Sequence, residues 1–231
     1  MKAKFLKRDV LDLTRFPEYF GCYHWEAKHA LFGYPADKAP EFRWIRNLEC
    51  RGLWLREALR AGKDISGLYL LKDIIQWGGS QNGCLQKFED GVGRICLAGE
   101  LAKVVKALPH PKEAISAAME ISGLGLTYGS KLLRFLDPVN YGALDARLRS
   151  AMNAAKQREH RLEQMPTISD NRGSAIRGYE WFCGFARQLQ NDLEDRGIKR
   201  PNCTLAHNAT RTRWRAADVE MALFRWATHL R

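Results

Sequence analysis

Apolar residues recur three and four positions apart through nearly the whole chain, whereas alternating β-branched stretches closed by tight-turn dipeptides are almost absent. A 3.6-residue period buries one stripe of a helix, while a two-residue period buries one face of a strand. The pattern predicts an all-α fold. Residues 47–61 read as an amphipathic helix stopped at Gly62, and Asp64 reads as the cap of a second helix ending at Gly78-Gly79. The polar, glycine-rich stretch 78–93 is expected to be a loop between packed helices. Further helices are predicted over 95–108, Pro111 to Ile121, Leu126 to Leu136, from Leu144 onward, Gly173 to Arg196 and Ala216 to Leu230, with a linker at 162–172. These group into an N-terminal helical segment (1–78), a central core (79–165) and C-terminal helices (166–231). No internal repeat is found, which argues against a solenoid.

Composition narrows the partners. The 231 residues carry 37 Lys plus Arg against 26 Asp plus Glu, a net charge of +11, and 45% are apolar, so a real core and a polyanionic partner are both expected. No apolar run approaches the ~18 residues of a membrane helix, and Asp9 and Asp12 interrupt the stretch where a signal peptide would be hydrophobic. The expectation is a cytoplasmic protein without a membrane partner. Six scattered cysteines, no two closer than twelve positions, write neither a zinc site nor an iron–sulfur cluster. Cys203 and His207 have metal-like spacing but lack a second pair, so no metal and no cofactor is expected. From Arg196 to Arg215 the chain holds six cations (Arg196, Lys199, Arg200, Arg211, Arg213 and Arg215) and no acid. Alone, such a run is usually a solvated loop.

The chemistry concentrates in residues 117–152, where an apolar helix meets Ser122-Gly123-Leu124-Gly125 and at once becomes another helix. Glycines suit a turn that needs uncommon backbone angles and brings its main chain near something bulky. The amides of the following helix start, Thr127 included, sit at the positive end of a dipole and suit a phosphate oxygen. Close helix packing explains an isolated Gly-x-Gly turn equally well. Lys131 lies six positions after Gly125, and Asp145 opens a later helix that also carries Arg147 and Arg149. An amine that is a nucleophile or phosphate clamp, beside a carboxylate that stabilises positive charge or moves a proton, supplies the parts for sugar chemistry.

This segment resembles the helix-hairpin-helix superfamily of DNA glycosylases, in particular the archaeal branch of the 8-oxoguanine glycosylases. The resemblance rests on the hairpin at Gly123-Leu124-Gly125, on Ser130-Lys131 with Phe135 one turn later, and on Asp145 twenty residues after Gly125. It covers roughly 95–152, with weaker agreement over 173–224, where the terminal WRAADVEMALF is similar to bacterial proteins of this fold group. The first 45 residues match nothing in the family. The sequence departs from the eukaryotic type, which has its lysine where Thr127 stands, and from the endonuclease III-like branch, whose four cysteines are missing.

The resemblance implies a two-lobed helical fold and a monomer, bacterial and nucleoid-associated, that binds duplex DNA containing a modified base. Lys131 would attack C1′ of a flipped nucleotide and Asp145 would stabilise the developing charge, giving base excision with AP-lyase activity on an oxidised purine or another modified base. Gln81 and Asn82 are candidate wedge residues for the vacated stack, and Phe135, Asp218 and Trp214 candidate base-pocket residues. The alternatives are a non-catalytic DNA-binding protein on the same scaffold and a defence factor acting on modified phage DNA. At the reference pKa of ~10.4 only about one amine in 2,500 is neutral at pH 7, so a nucleophilic Lys131 has to be buried; an exposed one is a phosphate clamp.

Overall fold

The computed structural model describes residues 10–25, 37–205 and 213–229. Among them are ten α-helices: α1 (Phe16–Gly21), α2 (Arg43–Arg60), α3 (Leu68–Trp77), α4 (Cys84–Val92), α5 (Leu97–Ala107), α6 (Pro111–Ala118), α7 (Leu126–Leu136), α8 (Ala146–Ala155), α9 (Arg172–Asp195) and α10 (Ala216–His229). The only strands described are β1 (His24–Trp25) and β2 (Asp37–Lys38), a two-residue antiparallel pair. The all-α expectation holds. No described helix is long and apolar enough to cross a membrane.

Two local expectations are corrected. Residues 84–92 are helical rather than loop, because Cys84 and Phe88, four apart, turn one buried face inward while Gln86, Glu89 and Asp90 stay outside. Two apolar anchors among polar residues and glycines are too sparse a stripe to read in advance. Asp64 caps nothing: the chain enters α3 through Gly67, whose φ of 59° only glycine adopts cheaply. The helix expected from residue 47 starts at Arg43. By contrast α7 has the bounds expected, since Gly125 before it and Asp137-Pro138 after it are both strong punctuation.

One apolar core runs from Leu11 to Ala227, so the N-terminal, central and C-terminal segments share it. α7 sits at its centre, packed against α2, α3, α6 and α9. Apart from Thr127 all its residues are buried, including Ser130, Lys131 and Arg134. Polar groups on a helix buried all round cost several kcal/mol unless partnered or used, which marks these three for scrutiny.

Candidate active site

Lys131 projects from the middle of α7 and is 4% exposed. Its Nζ lies 5.1 Å from the ring centre of Trp77, 5.3 Å from that of Trp25 and 5.4 Å from that of Tyr128. Loss of hydration pushes the lysine below its ordinary pKa, against the pull of the Asp145 and Glu220 carboxylates. The ring faces also favour the ammonium, by about 0.5–2 kcal/mol each, less than the several kcal/mol that burying an ion costs. Space around the amine is tight: a Cβ on Gly78 would come within 2.6 Å of Tyr128 Cε1 and 2.8 Å of Lys131 Nζ. Gly78 is therefore required to be glycine.

Asp145 is the N-cap of α8, where its Oδ1 accepts from the Leu148 amide at 2.8 Å. The preceding residue is tied to the lysine helix: Ser130 Oγ donates to the Thr127 carbonyl and accepts from the Leu144 amide at 2.9 Å. A fully buried hydroxyl thus fixes the start of α8 against α7, and with it the carboxylate against the amine.

Lys131 and Asp145 lie at the foot of a cleft of about 800 Å³. Gly123, Leu124, Gly125 and Thr127 line it from the turn and the start of α7, the exposed pair Gln81 and Asn82 (the lip) from the segment before α4, and Arg147 and Arg149 (the rim) from α8. Gly123 has φ +80°, and a Cβ there would sit 2.6 Å from the Cys84 carbonyl oxygen and 2.8 Å from the Phe88 amide nitrogen, so the turn packs directly on α4. Gly125 faces open space, and no side chain caps the first turn of α7. Its free amides carry the positive end of the dipole into the cleft. Arg147 lies over the rings of Trp25 (5.7 Å) and Phe224 (5.3 Å), and Arg149 pairs loosely with Asp170 at 3.6 Å.

Lys131 and Asp145 also line a small chamber with Tyr23, Trp25, Trp77, Ala143, Glu220 and Phe224, whose free volume of about 10 Å³ is roughly that of one water. Glu220 is its second acid, beside Asp145. Burial raises its carboxyl to about 7, with the neighbouring Asp145 charge adding to the shift and Arg134 and Lys131 opposing it. Glu220 ends a buried chain of alternating charges. Arg200 pairs with Asp218 (3.2 Å), Asp218 with Arg215 (2.7 Å) and Arg215 with Glu49 (2.9 Å); Glu49 then pairs with Arg134 (3.3 Å) and Arg134 with Glu220 (3.4 Å).

The structure thus brings Lys131, Asp145, Gly123, Leu124, Gly125, Thr127, Gln81, Asn82, Arg147 and Arg149 to one cleft, and leaves out the three expected pocket residues. Phe135 is wholly buried behind Trp77, edge-on at 5.3 Å. One turn beyond Lys131 it points into the core. Trp214 packs on Phe16 and Phe20 and donates its indole N–H to the Ile198 carbonyl. Asp218 belongs to the charge chain; burial alone would raise its pKa, but Arg215 and Arg200 hold it below the usual range. On α10 the cavity residues are instead Glu220 and Phe224, on the face turned towards α8. The acid-free segment 196–215, whose cations a DNA-binding reading sets with Arg147 and Arg149 along the groove, is corrected too. None of its described residues lines the cleft, and Arg200 and Arg215 face inward because the buried acids Asp218 and Glu49 need partners. His207 lies outside the described residues, and among those described no cluster of three or more His, Cys, Asp or Glu could hold a metal.

Sequence reasoning singled out neither Trp25 nor Glu220. Only a charged residue inside the apolar run of α10 hinted at Glu220. Comparison with protein-family models, curated proteins and solved structures finds no match to this chain.

Proposed function

We propose that the protein is a DNA glycosylase with AP-lyase activity that excises a modified purine from duplex DNA. One observation carries the reading: a lysine amine, dehydrated and depressed in pKa, stands beside a carboxylate at the foot of a cleft with a cationic rim and an uncapped helix start. A phosphate clamp would keep its lysine at the surface, fully charged, whereas a nucleophile needs the lone pair that burial favours.

Duplex DNA docks with backbone phosphates on the free amides of α7 and on Arg147 and Arg149, contacts that fix position without reading sequence. The target nucleotide leaves the stack at a cost of a few kcal/mol, least for a damaged or mispaired base. Its base enters the chamber as the exposed Arg147 swings off the Trp25 and Phe224 rings. There the base lies among Trp25, Trp77 and Phe224, and Glu220 offers its oxygens to paired N–H donors such as those on the Watson–Crick edge of a guanine-type base. The Lys131 lone pair attacks C1′, the C1′–N bond breaks, and its electron pair leaves with the base. Asp145 stabilises the cationic sugar and takes an amine proton, which is passed to the departing nitrogen. Opening of the sugar ring gives a Schiff base, and loss of a C2′ proton expels the 3′ phosphate.

The test is borohydride trapping with oligonucleotides carrying 8-oxoguanine, uracil, an abasic site or hypermodified cytosine. A covalent adduct is expected with the oxidised purine and the abasic site, lost in Lys131→Ala; Asp145→Asn should slow excision about 10²–10⁴-fold with DNA binding retained. Absence of an adduct with every substrate overturns the lyase reading, and DNA binding without excision leaves a non-catalytic DNA-binding protein.

A further inference from the structure

Tyr128 touches both the Lys131 amine and the lip that holds Gln81 and Asn82. Its ring is a wall of the lysine environment, with Nζ 5.4 Å from the ring centre. At the other end its hydroxyl accepts from the Gln81 amide at 2.9 Å and reaches the Gly78 carbonyl at 3.4 Å, with the Cys84 thiol within hydrogen-bonding range. The lip is an unusual piece of backbone: Ser80 and Asn82 have positive φ (44° and 56°), as do Gly79 and Gly83 (91° and 65°). Two non-glycine residues in the left-handed region persist only where the surroundings hold them. Here the holding partner is a side chain of the lysine helix, three residues before the lysine. Gly78, where the lip begins, is also where a Cβ would strike both Tyr128 and Lys131.

We infer that Tyr128 is a positioning residue that couples the lip to the amine. When Gln81 and Asn82 move into a vacated stack, the Tyr128 hydroxyl carries the displacement to the ring that bounds Nζ, so the amine is set for attack only when a nucleotide has left the duplex. The inference rests on the reading of the cleft as a base-excision site. It goes beyond that reading in assigning the control of attack to a residue that acts through the amine.

The substitution Tyr128→Phe keeps the ring and removes the hydroxyl. Excision is measured on the same modified base in duplex and in single strand, where nothing has to be held out of a stack. Duplex excision should fall about fivefold to tenfold, the worth of one hydrogen bond, with single-strand excision and abasic-site cleavage within about twofold of wild type. The retained activities double as the control for folding. Equal loss on both substrates would make Tyr128 a wall of the amine and nothing more, and an unchanged duplex rate would remove it from the mechanism; either overturns the coupling. An activity-free readout separates this failure from failure of the functional reading. Binding to a duplex with a tetrahydrofuran abasic analogue should weaken in Tyr128→Phe relative to the single strand, and the Gln81 amide should exchange faster. Should the wild type excise nothing while these two differences appear, the functional reading falls and the latch between lip and α7 stands; if neither appears, the latch falls.

Discussion

Glu220 shows how far one buried carboxyl can govern this site. Its ordinary value is 4.5 and burial lifts it to about 7, so between those pH values the folded protein holds a proton that the unfolded chain has lost. Stability therefore falls as pH rises through that window and is flat above it, the sign following from the greater proton uptake of the folded state. At about 1.4 kcal/mol for each pH unit the full penalty is on the order of 3 kcal/mol. Glu220→Gln keeps the shape and removes the ionisation, so urea unfolding should find it no less stable than wild type at pH 8, and the stability difference between pH 5 and pH 8 should shrink. An unchanged pH dependence would place the titrating group elsewhere. Lys131 has the opposite sign: burial depresses it, so its amine loses the proton at lower pH than a free lysine, and adduct formation should rise with pH until that titration is complete.

At the level of elements, the short links between helices do more for the site than the helices do. The 119–125 link has to bring α6 back onto α7 and still leave the start of α7 open to the cleft. Gly123 meets both demands, with φ of +80° and its missing side chain filled by the backbone of α4. Gly123→Ala should therefore lose about 2–4 kcal/mol, combining left-handed strain with displacement of α4, and should weaken DNA binding as well. Gly125→Ala faces open space and makes the matched control in thermal unfolding. Equal effects of the two would mean that the contact with α4 is not what requires glycine. The α7 bounds and the Asp145 cap were legible because glycines, a proline and an aspartate punctuate them. The helix at 84–92 was not, because Phe88 and Cys84 declare themselves apolar anchors only once there is a core to bury them.

Over the whole molecule, two sets of arginines do different work. Arg147 and Arg149 stand on the cleft rim, whereas Arg134, Arg200 and Arg215 are matched one for one by Glu49, Asp218 and Glu220 inside the fold. Removing a rim arginine should lower the slope of log binding constant against log salt by about one and leave stability nearly unchanged. Arg200→Ala should leave the slope alone and cost roughly 3–5 kcal/mol, because Asp218 stays buried with a partner gone. The reverse pattern in DNA-binding titrations and melts would show that the charge has been wrongly divided.

Local signals along the chain set the helical class, the bounds of α7, the helix start at Asp145 and the glycine turn before α7. Each of these is set by neighbours within a few positions along the chain. Packing between distant segments is what buries Lys131, turns Glu220 and Phe224 rather than Asp218 and Trp214 towards it from α10, and sets Trp25, Trp77 and Tyr128 around it. Such placements depend on how helices distant in sequence rotate about their axes to fill one core. Asp218 and Glu220 stand two positions apart, about 200° around α10, so the rotation of that one helix decides which carboxylate faces Lys131 and which joins the charge chain.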